Sequence, residues 1–301
     1  MIESDKIESG SVDLILTDLP YGTMTKLNYK EQIQCRGENS FKWDEVIDTK
    51  KVYEIANRIL RKNGKMVLFC QQPFTNELIT KAIPNIPFSY SMIWEKDNYG
   101  HALLAKKAPL NYYEDILVFS KRDDPNDGNL IRDYFKEERK KIKESLTEIN
   151  KIAFNNKSGK DGMAGNILSS YKKNWSFPTK ERYNKLNEVY GICKKPYEEL
   201  EILNNKFKNK FASTFNLWEG KKYKSNILKY KKDYTGHHPT QKPVLLLEDL
   251  IKTFSNENDL VVDLTMGSGS TLVACQNTNR NGIGIEMDEN YFNIAEERIN
   301  S

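Results

Sequence analysis

The stretch Leu260-Val261-Val262-Asp263-Leu264-Thr265-Met266-Gly267-Ser268-Gly269-Ser270-Thr271 decides how this chain is read. Residues 260–264 form a short apolar run carrying one acid, as a strand buried on both faces of a parallel sheet requires. Gly267 and Gly269 then allow a sharp turn and a close backbone approach to a ligand. Spacing predicts a helix over 271–278, a strand over 282–286 ending on Glu286, and a helix over 290–300. An amphipathic helix over 244–254 precedes the stretch. Helix, strand, glycine turn, helix, strand, acid is half of a nucleotide-binding fold, placed last in the chain. A dinucleotide pattern would have a third glycine at position 272, where the chain has Leu272, and no Gly-Lys-Ser/Thr of a phosphate loop follows. Both departures disfavour a pyrophosphate ligand. Glu286 stands where an acid can accept both hydroxyls of a ribose. A lone Gly-x-Gly also fits a tight structural turn, so the residues alone leave both readings open.

His238-Pro239-Thr240-Gln241-Lys242-Pro243 lies just before the 244–254 helix. A cation and a hydroxyl at a helix start can bind the carboxylate of an amino acid; two prolines shaping a helix entry would leave the same letters. At the other end of the chain, 12–17 is a short apolar run leading into Asp18-Leu19-Pro20-Tyr21. Residues 49–61 place Val52, Ile55, Ala56, Ile59 and Leu60 at helical spacing, with Asn63-Gly64 as a stop. Residues 65–70 read as a buried strand and 75–82 as a short helix. Two more strands, 88–94 and 114–119, flank an irregular loop with His101, Lys106 and Lys107. This alternation predicts a doubly wound α/β sheet.

A chain of 301 residues holds one large α/β domain, with or without an insertion. No apolar run approaches the roughly 20 residues that span a bilayer, and no charged-then-apolar leader is present, so no membrane partner is expected. Cys35, Cys70, Cys193 and Cys275 form no CxxC pair, which argues against a disulfide framework or a zinc site and for a cytoplasmic setting with no metal. The net charge of +4 is unevenly placed. Residues 121–235 carry 27 Lys and Arg against 16 Asp and Glu, a net of +11, while the remainder carries 19 against 26, a net of −7. AT-rich coding would explain the lysine total but not its concentration, and a segregated basic segment points to a polyanion. Lys221, Lys222 and Lys224, with Lys106 and Lys107, are the candidate phosphate contacts. From about 121 the character changes to charged helical stretches such as 134–149, with aromatics including Trp175, Phe177, Tyr183 and Tyr197 interleaved with lysines.

Asp18-Leu19-Pro20-Tyr21 after the first strand and the glycine turn after the late strand, in that order and with a basic stretch between, resemble the β-class DNA amino-methyltransferases. In that family the catalytic motif precedes the cofactor motif. The likeness covers 11–120 and 236–299. It implies an α/β, doubly wound, mostly parallel Rossmann-like methyltransferase sheet in circularly permuted motif order. Residues 1–120 would be the catalytic half, 121–235 an inserted target-recognition region, and 236–301 the cofactor-binding half. The implied cofactor is S-adenosylmethionine. By resemblance, Asp263 with Thr265, Met266, Gly267, Ser268, Gly269, Ser270 and Thr271 would hold its methionine part and Glu286 its ribose. His238, Thr240, Gln241 and Lys242 match the family's cofactor-side motif.

An exocyclic aromatic amine is a poor nucleophile because its lone pair is delocalised into the ring. By family analogy, the Asp18 side chain and the Leu19 carbonyl accept its two N–H bonds, which turns the lone pair toward the sulfonium methyl. Pro20 fixes the backbone and offers no competing donor. Tyr21 presents a face for the base, and Gly22 permits a tight exit. Transfer is then an in-line displacement catalysed by positioning and electrostatics, without a covalent enzyme intermediate. The base must be flipped from duplex DNA, at a cost of a few kcal/mol. A cognate restriction endonuclease and a homodimer remain open as further partners. Asp18 favours adenine N6, since the cytosine-N4 enzymes more often begin the tetrapeptide with Ser. Cytosine N4 is the alternative, and a catalytically weak DNA-binding remnant is another. An RNA or protein amide methyltransferase is disfavoured by the motif order. Two features depart from the family. Leu19 replaces the commoner proline at a position that contributes its carbonyl. The strand that usually precedes these motifs, ending in Gly-Asp, has no counterpart before 12–17, and Asp5 lies too close to replace its acid. Weaker cofactor binding and an exposed sheet edge beside 282–286 are therefore expected.

Overall fold

β1 (Val12–Asp18) has no face for solvent: Val12 and Ile15 enter one apolar layer, Leu14 and Leu16 the other. In the computed structural model it runs through a sheet that continues with β2 (Leu60–Cys70), β3 (Phe88–Gly100), β4 (Asn111–Ser120), β5 (Ile227–Lys229), β6 (Leu260–Asp263) and β7 (Asn281–Gly284). The described residues are 2–21, 47–100, 106, 109–123, 129–158, 162–168, 175–217, 220–234 and 241–300. Among them the seven strands run β5-β3-β4-β2-β1-β6-β7. β4 is antiparallel to β2 and β3; the other pairings are parallel. The mostly parallel, doubly wound sheet is thus present, and β7 stands at its edge.

The helices are α1 (Thr49–Ile59), α2 (Phe74–Thr80), α3 (Leu130–Arg139), α4 (Leu146–Phe154), α5 (Met163–Leu168), α6 (Lys180–Tyr190), α7 (Tyr197–Lys210), α8 (Val244–Phe254), α9 (Ser270–Asn277) and α10 (Glu289–Asn300). None is long and apolar enough to cross a membrane. α1 ends earlier than its spacing predicts, and Asn63-Gly64 lies within β2 instead of stopping the helix. There Asn63 takes φ +63°, and the register with β1 jumps from Val12 opposite Leu60 to Leu14 opposite Lys65. The buried ammonium of Lys121 ends α1, donating to Asn57 O at 2.8 Å and Leu60 O at 2.6 Å, as a cation at a helix C-terminus should.

The chain divides into two compact units, Met1–Asp127 with Ser213–Ser301, and Gly128–Ala212. The second unit is helical. The stretch 134–149 is broken in two, because Ser145 starts a new helix with a capping box to Glu148. Its aromatics make its core: Phe135 lies 6.5 Å from Trp175, 6.4 Å from Phe177 and 6.2 Å from Tyr183 between ring centroids. This unit carries 19 Lys and Arg against 11 Asp and Glu, a net of +8. Residues 213–234 belong with the sheet, where β5 pairs with β3 and Asn216 N–H donates to Thr253 O at 2.8 Å.

Candidate active site at the carboxyl edge of the sheet

Strand order reverses between β1 and β6, and ligands of doubly wound sheets bind beyond the carboxyl ends at such a point. Leu14 and Ile15 pair with Val261 and Val262, so Asp18 and Asp263 leave adjacent strands at the same end. Thr265 Oγ1 donates to the Asp18 carbonyl at 3.0 Å and lies 2.8 Å from Thr17 Oγ1. Either hydroxyl can supply the proton of that second contact, and Thr17 also hydrogen-bonds Asp263. Two motifs almost 250 residues apart are stitched side by side.

On the β6 side, Asp263 organises the glycine turn. Its carboxylate accepts from Thr271 Oγ1 at 2.5 Å and from Thr265 N–H at 3.1 Å. Gly267 and Gly269 both lie in the left-handed region, at φ +52° and +79°. A Cβ on Gly269 would come within 2.8 Å of Ala295 Cβ on α10, so its missing side chain makes room for a helix, not for a ligand. Met266 N–H donates to Ile285 O at 3.0 Å. Arg298 on α10 pins the turn from outside, donating to Ser268 O at 2.5 Å, Ser268 Oγ at 3.1 Å and Ser270 Oγ at 3.2 Å. Glu286 lies two residues beyond β7, not within it. Its Oε2 accepts from Gly267 N–H at 2.9 Å, and its Oε1 from Met287 and Asp288 N–H at 2.8 Å each. Three backbone donors fix this carboxylate, and Oε2 keeps a lone pair for a hydroxyl.

On the β1 side, Leu19 is buried, and the half-buried Tyr21 donates its hydroxyl to Asp18 Oδ1 while its ring packs 5.6 Å from that of Phe74. Lys242, read from sequence as a cofactor contact, instead ion-pairs with Asp18 Oδ2 and lies 3.3 Å from Glu114 Oε2, over the ring of Phe69. Glu114 Oε1 is held by Lys96 at 2.6 Å. Burial pushes the Asp18 carboxyl up, against the pull of Lys242. Burial would also raise Glu114, but the Lys242 and Lys96 ammoniums outweigh it and hold that carboxyl low. Burial disfavours the charge on Lys242 too, yet Asp18 and Glu114 keep its pKa raised.

Sequence reading missed Thr17, Lys96, Glu114 and Arg298. The usable signal lay in the β3–β4 hairpin: Glu114 opposes Trp94, and Lys96, two residues on, shares that face. Gln241 is half-buried next to Lys242, whereas His238, Thr240, Lys107, His101 and Gly22 lie outside the described residues. The α8 N-terminus is already served, since Val244 N–H donates to Asp233 Oδ2 at 2.9 Å. Lys106, Lys221 and Lys222 are exposed. Lys224, read from sequence as a phosphate contact, is ion-paired with the buried Asp249, whose other oxygen accepts from Tyr230 Oη at 2.8 Å, so its charge is directed into the fold and not to solvent. Among the described residues no His, Cys, Asp and Glu cluster is suited to a metal ion.

Burial raises Asp263 to about 6, the Thr271 and backbone donors only partly opposing it. A carboxyl whose folded pKa lies above its unfolded one stabilises the fold while protonated, and that contribution is lost as pH rises from about 4 through about 6. Thermal unfolding of wild type and Asp263→Asn should therefore diverge across this window, with the wild type losing ground as pH rises. A constant difference from pH 4 to 8 would contradict the assignment.

A glycine turn closed by two acids, Asp263 and Glu286, thus faces a third, half-buried acid, Asp18, across the strand reversal of an α/β sheet. Residues 12–297 match the family model N6_N4_Mtase, described as DNA methylase, and the chain belongs to that family. It is similar to the Type II methyltransferase M.HpaI of Haemophilus parainfluenzae, at 24% identity over 302 residues covering 98% of this chain and 70% of the relative. It is likewise similar to the Type II methyltransferase M.HindIII of Haemophilus influenzae, at 24% identity, covering 99% of this chain and 92% of the relative. The solved M1.HpyAVI-SAM complex shares the fold, at 21% identity and a TM-score of 0.50, covering 99% of this chain and 92% of that one.

Proposed function

We propose that this DNA methylase transfers a methyl group from S-adenosylmethionine to N6 of an adenine flipped out of duplex DNA. The observation that carries the reading is the stitching of Asp18 to the glycine turn through Thr265. It sets an amine acceptor beside a cofactor turn on rigid strand ends. The residues fit the cofactor: Glu286 is fixed with acceptor capacity toward ribose hydroxyls, and the exposed Met287 beside it offers an apolar face to a ring. S-adenosylmethionine would supply an electrophilic methyl on a sulfonium centre, and the solved M1.HpyAVI complex supports the same choice here. Asp18 would receive one N–H of the target amine on a lone pair that Tyr21 and Lys242 leave over. The Leu19 carbonyl would take the other N–H, and the ring of Tyr21 would steady the base.

Asp18 at the head of the tetrapeptide supports adenine over cytosine. The basic unit Gly128–Ala212 would grip the duplex as the target-recognition region, with Lys106, Lys221 and Lys222 as further phosphate contacts. A DNA substrate of this kind is met in the cytoplasm. The test is methyl transfer from radiolabelled S-adenosylmethionine to unmethylated genomic DNA, followed by digestion to nucleosides. Label is expected in N6-methyldeoxyadenosine. Label in N4-methyldeoxycytidine would move the target to cytosine, and none in DNA would sink the proposal.

A further inference from the structure

The β3–β4 hairpin brings a second buried ion pair to the tetrapeptide. Along the carboxyl edge, charges alternate: Lys96, Glu114, Lys242, Asp18. The side chains of Lys96, Glu114 and Lys242 are 5%, 10% and 8% exposed. Buried pairs of this kind stabilise a fold no better than apolar residues of the same volume, so stability alone does not account for Lys96 and Glu114 here. Their placement does. Glu114 Oε1 is taken by Lys96, while Oε2 is buried without a hydrogen bond, 3.3 Å from Lys242. That oxygen competes with Asp18 for the same ammonium.

We propose that Lys96 and Glu114 are positioning residues for methyl transfer: by sharing Lys242 with Asp18, they set how the acceptor oxygens of Asp18 are presented to the target amine. The proposal rests on Asp18 being that acceptor. Lys242 sits closer to Asp18 than to Glu114. Lys96 reduces the hold of Glu114 on Lys242, and Glu114 draws on that ammonium and adds a like charge beside Asp18. The charged and titratable groups facing Asp18 are Lys242 before α8, Glu114 on β4, Tyr21 after β1, Cys70 on β2 and Asp263 on β6. Tyr21 is raised well above its ordinary range by burial and the Asp18 charge, and burial pushes Cys70 up to about 12, so both stay neutral. Lys242 and Glu114 are therefore the partners able to tune Asp18 over the working pH range, with Asp263 adding a like charge above about 6.

The test is the pH profile of kcat for methyl transfer to unmethylated genomic DNA. A protonated Asp18 accepts more weakly than its carboxylate, so the rate falls below its pKa, and the acid limb reports this coupled set. Lys242→Met removes the counter-charge and should move the limb up by about one unit or more. Lys96→Met frees Glu114 to draw Lys242 away, giving a smaller upward shift. Glu114→Gln removes a like charge beside Asp18 and the competing pull on Lys242, so the limb should move down while the plateau rate drops, the more strongly held carboxylate being a weaker acceptor for the amine. The decisive comparison is Lys96→Met in the Glu114→Gln background, where its limb shift should vanish because Lys96 acts only through Glu114. Glutamine preserves the shape of Glu114, and thermal unfolding confirms that each variant is folded. Shifts of one sign in all variants, unmoved limbs, or a Lys96→Met shift that survives in the double variant would overturn the proposal. The reading of Asp18 itself fails by a different result, undiminished transfer by Asp18→Ala.

Discussion

Asp18→Ala is expected to lower methyl transfer by roughly 10²–10³-fold, the scale on which removing one transition-state hydrogen-bond partner acts. It also removes a partner of Tyr21 and of Lys242. The fold should survive, since Lys242 retains Glu114 and the Asp18 carbonyl still accepts from Thr265. DNA affinity should persist, because no phosphate contact is touched. Asp18→Asn keeps an acceptor oxygen without the charge and should fall between wild type and alanine. Radiolabel incorporation measured alongside gel shift checks both halves. Near-wild-type turnover in the alanine variant would remove the tetrapeptide from the chemistry.

Gly269→Val should be the most damaging change on the cofactor side. A left-handed residue other than glycine costs about 1–2 kcal/mol. Forcing a side chain into a filled space costs about 1–3 kcal/mol more. The neighbour here is Ala295 of α10, whose Cβ would lie 2.8 Å away. The glycine turn and α10 should separate, disturbing the Arg298 bonds to Ser268 and Ser270 and abolishing S-adenosylmethionine binding. In Gly269→Ala, the second change Ala295→Gly should recover the packing part of the loss and leave the backbone part. Calorimetric titration with thermal unfolding separates binding from stability. Unchanged affinity in the valine variant would mean that the turn does not hold the cofactor.

What could be read from the letters follows from how each feature is encoded. β1 and β6 are buried on both faces, so they appear as short apolar runs ending on acids, and their motifs were legible at once. The direction of β4 leaves no trace in a period of two, and β3 and β4 passed as ordinary strands. Asn63-Gly64 has the chemistry of a helix stop, but it serves a bulge in β2, where a left-handed asparagine is equally at home. The aromatics among the lysines of the middle segment belong to the core of its helical unit, which a count of residue types does not reveal. Lys96 and Glu114 were the hardest to see. A charged residue in a strand reads as solvent-facing, and only the hairpin register shows that the two meet beneath Lys242. Lys224, in a lysine cluster that reads as a solvated surface, is likewise hidden, its charge set against Asp249.

The most direct measurement is sequencing with modified-base detection on DNA from a methylation-free host expressing either the wild-type chain or Asp18→Ala. The wild type should leave N6-methyladenine at one position of one recurring sequence, and the variant should leave those sites unmodified. An unmodified genome from the wild type, or equal modification from both, would contradict methyl transfer at Asp18.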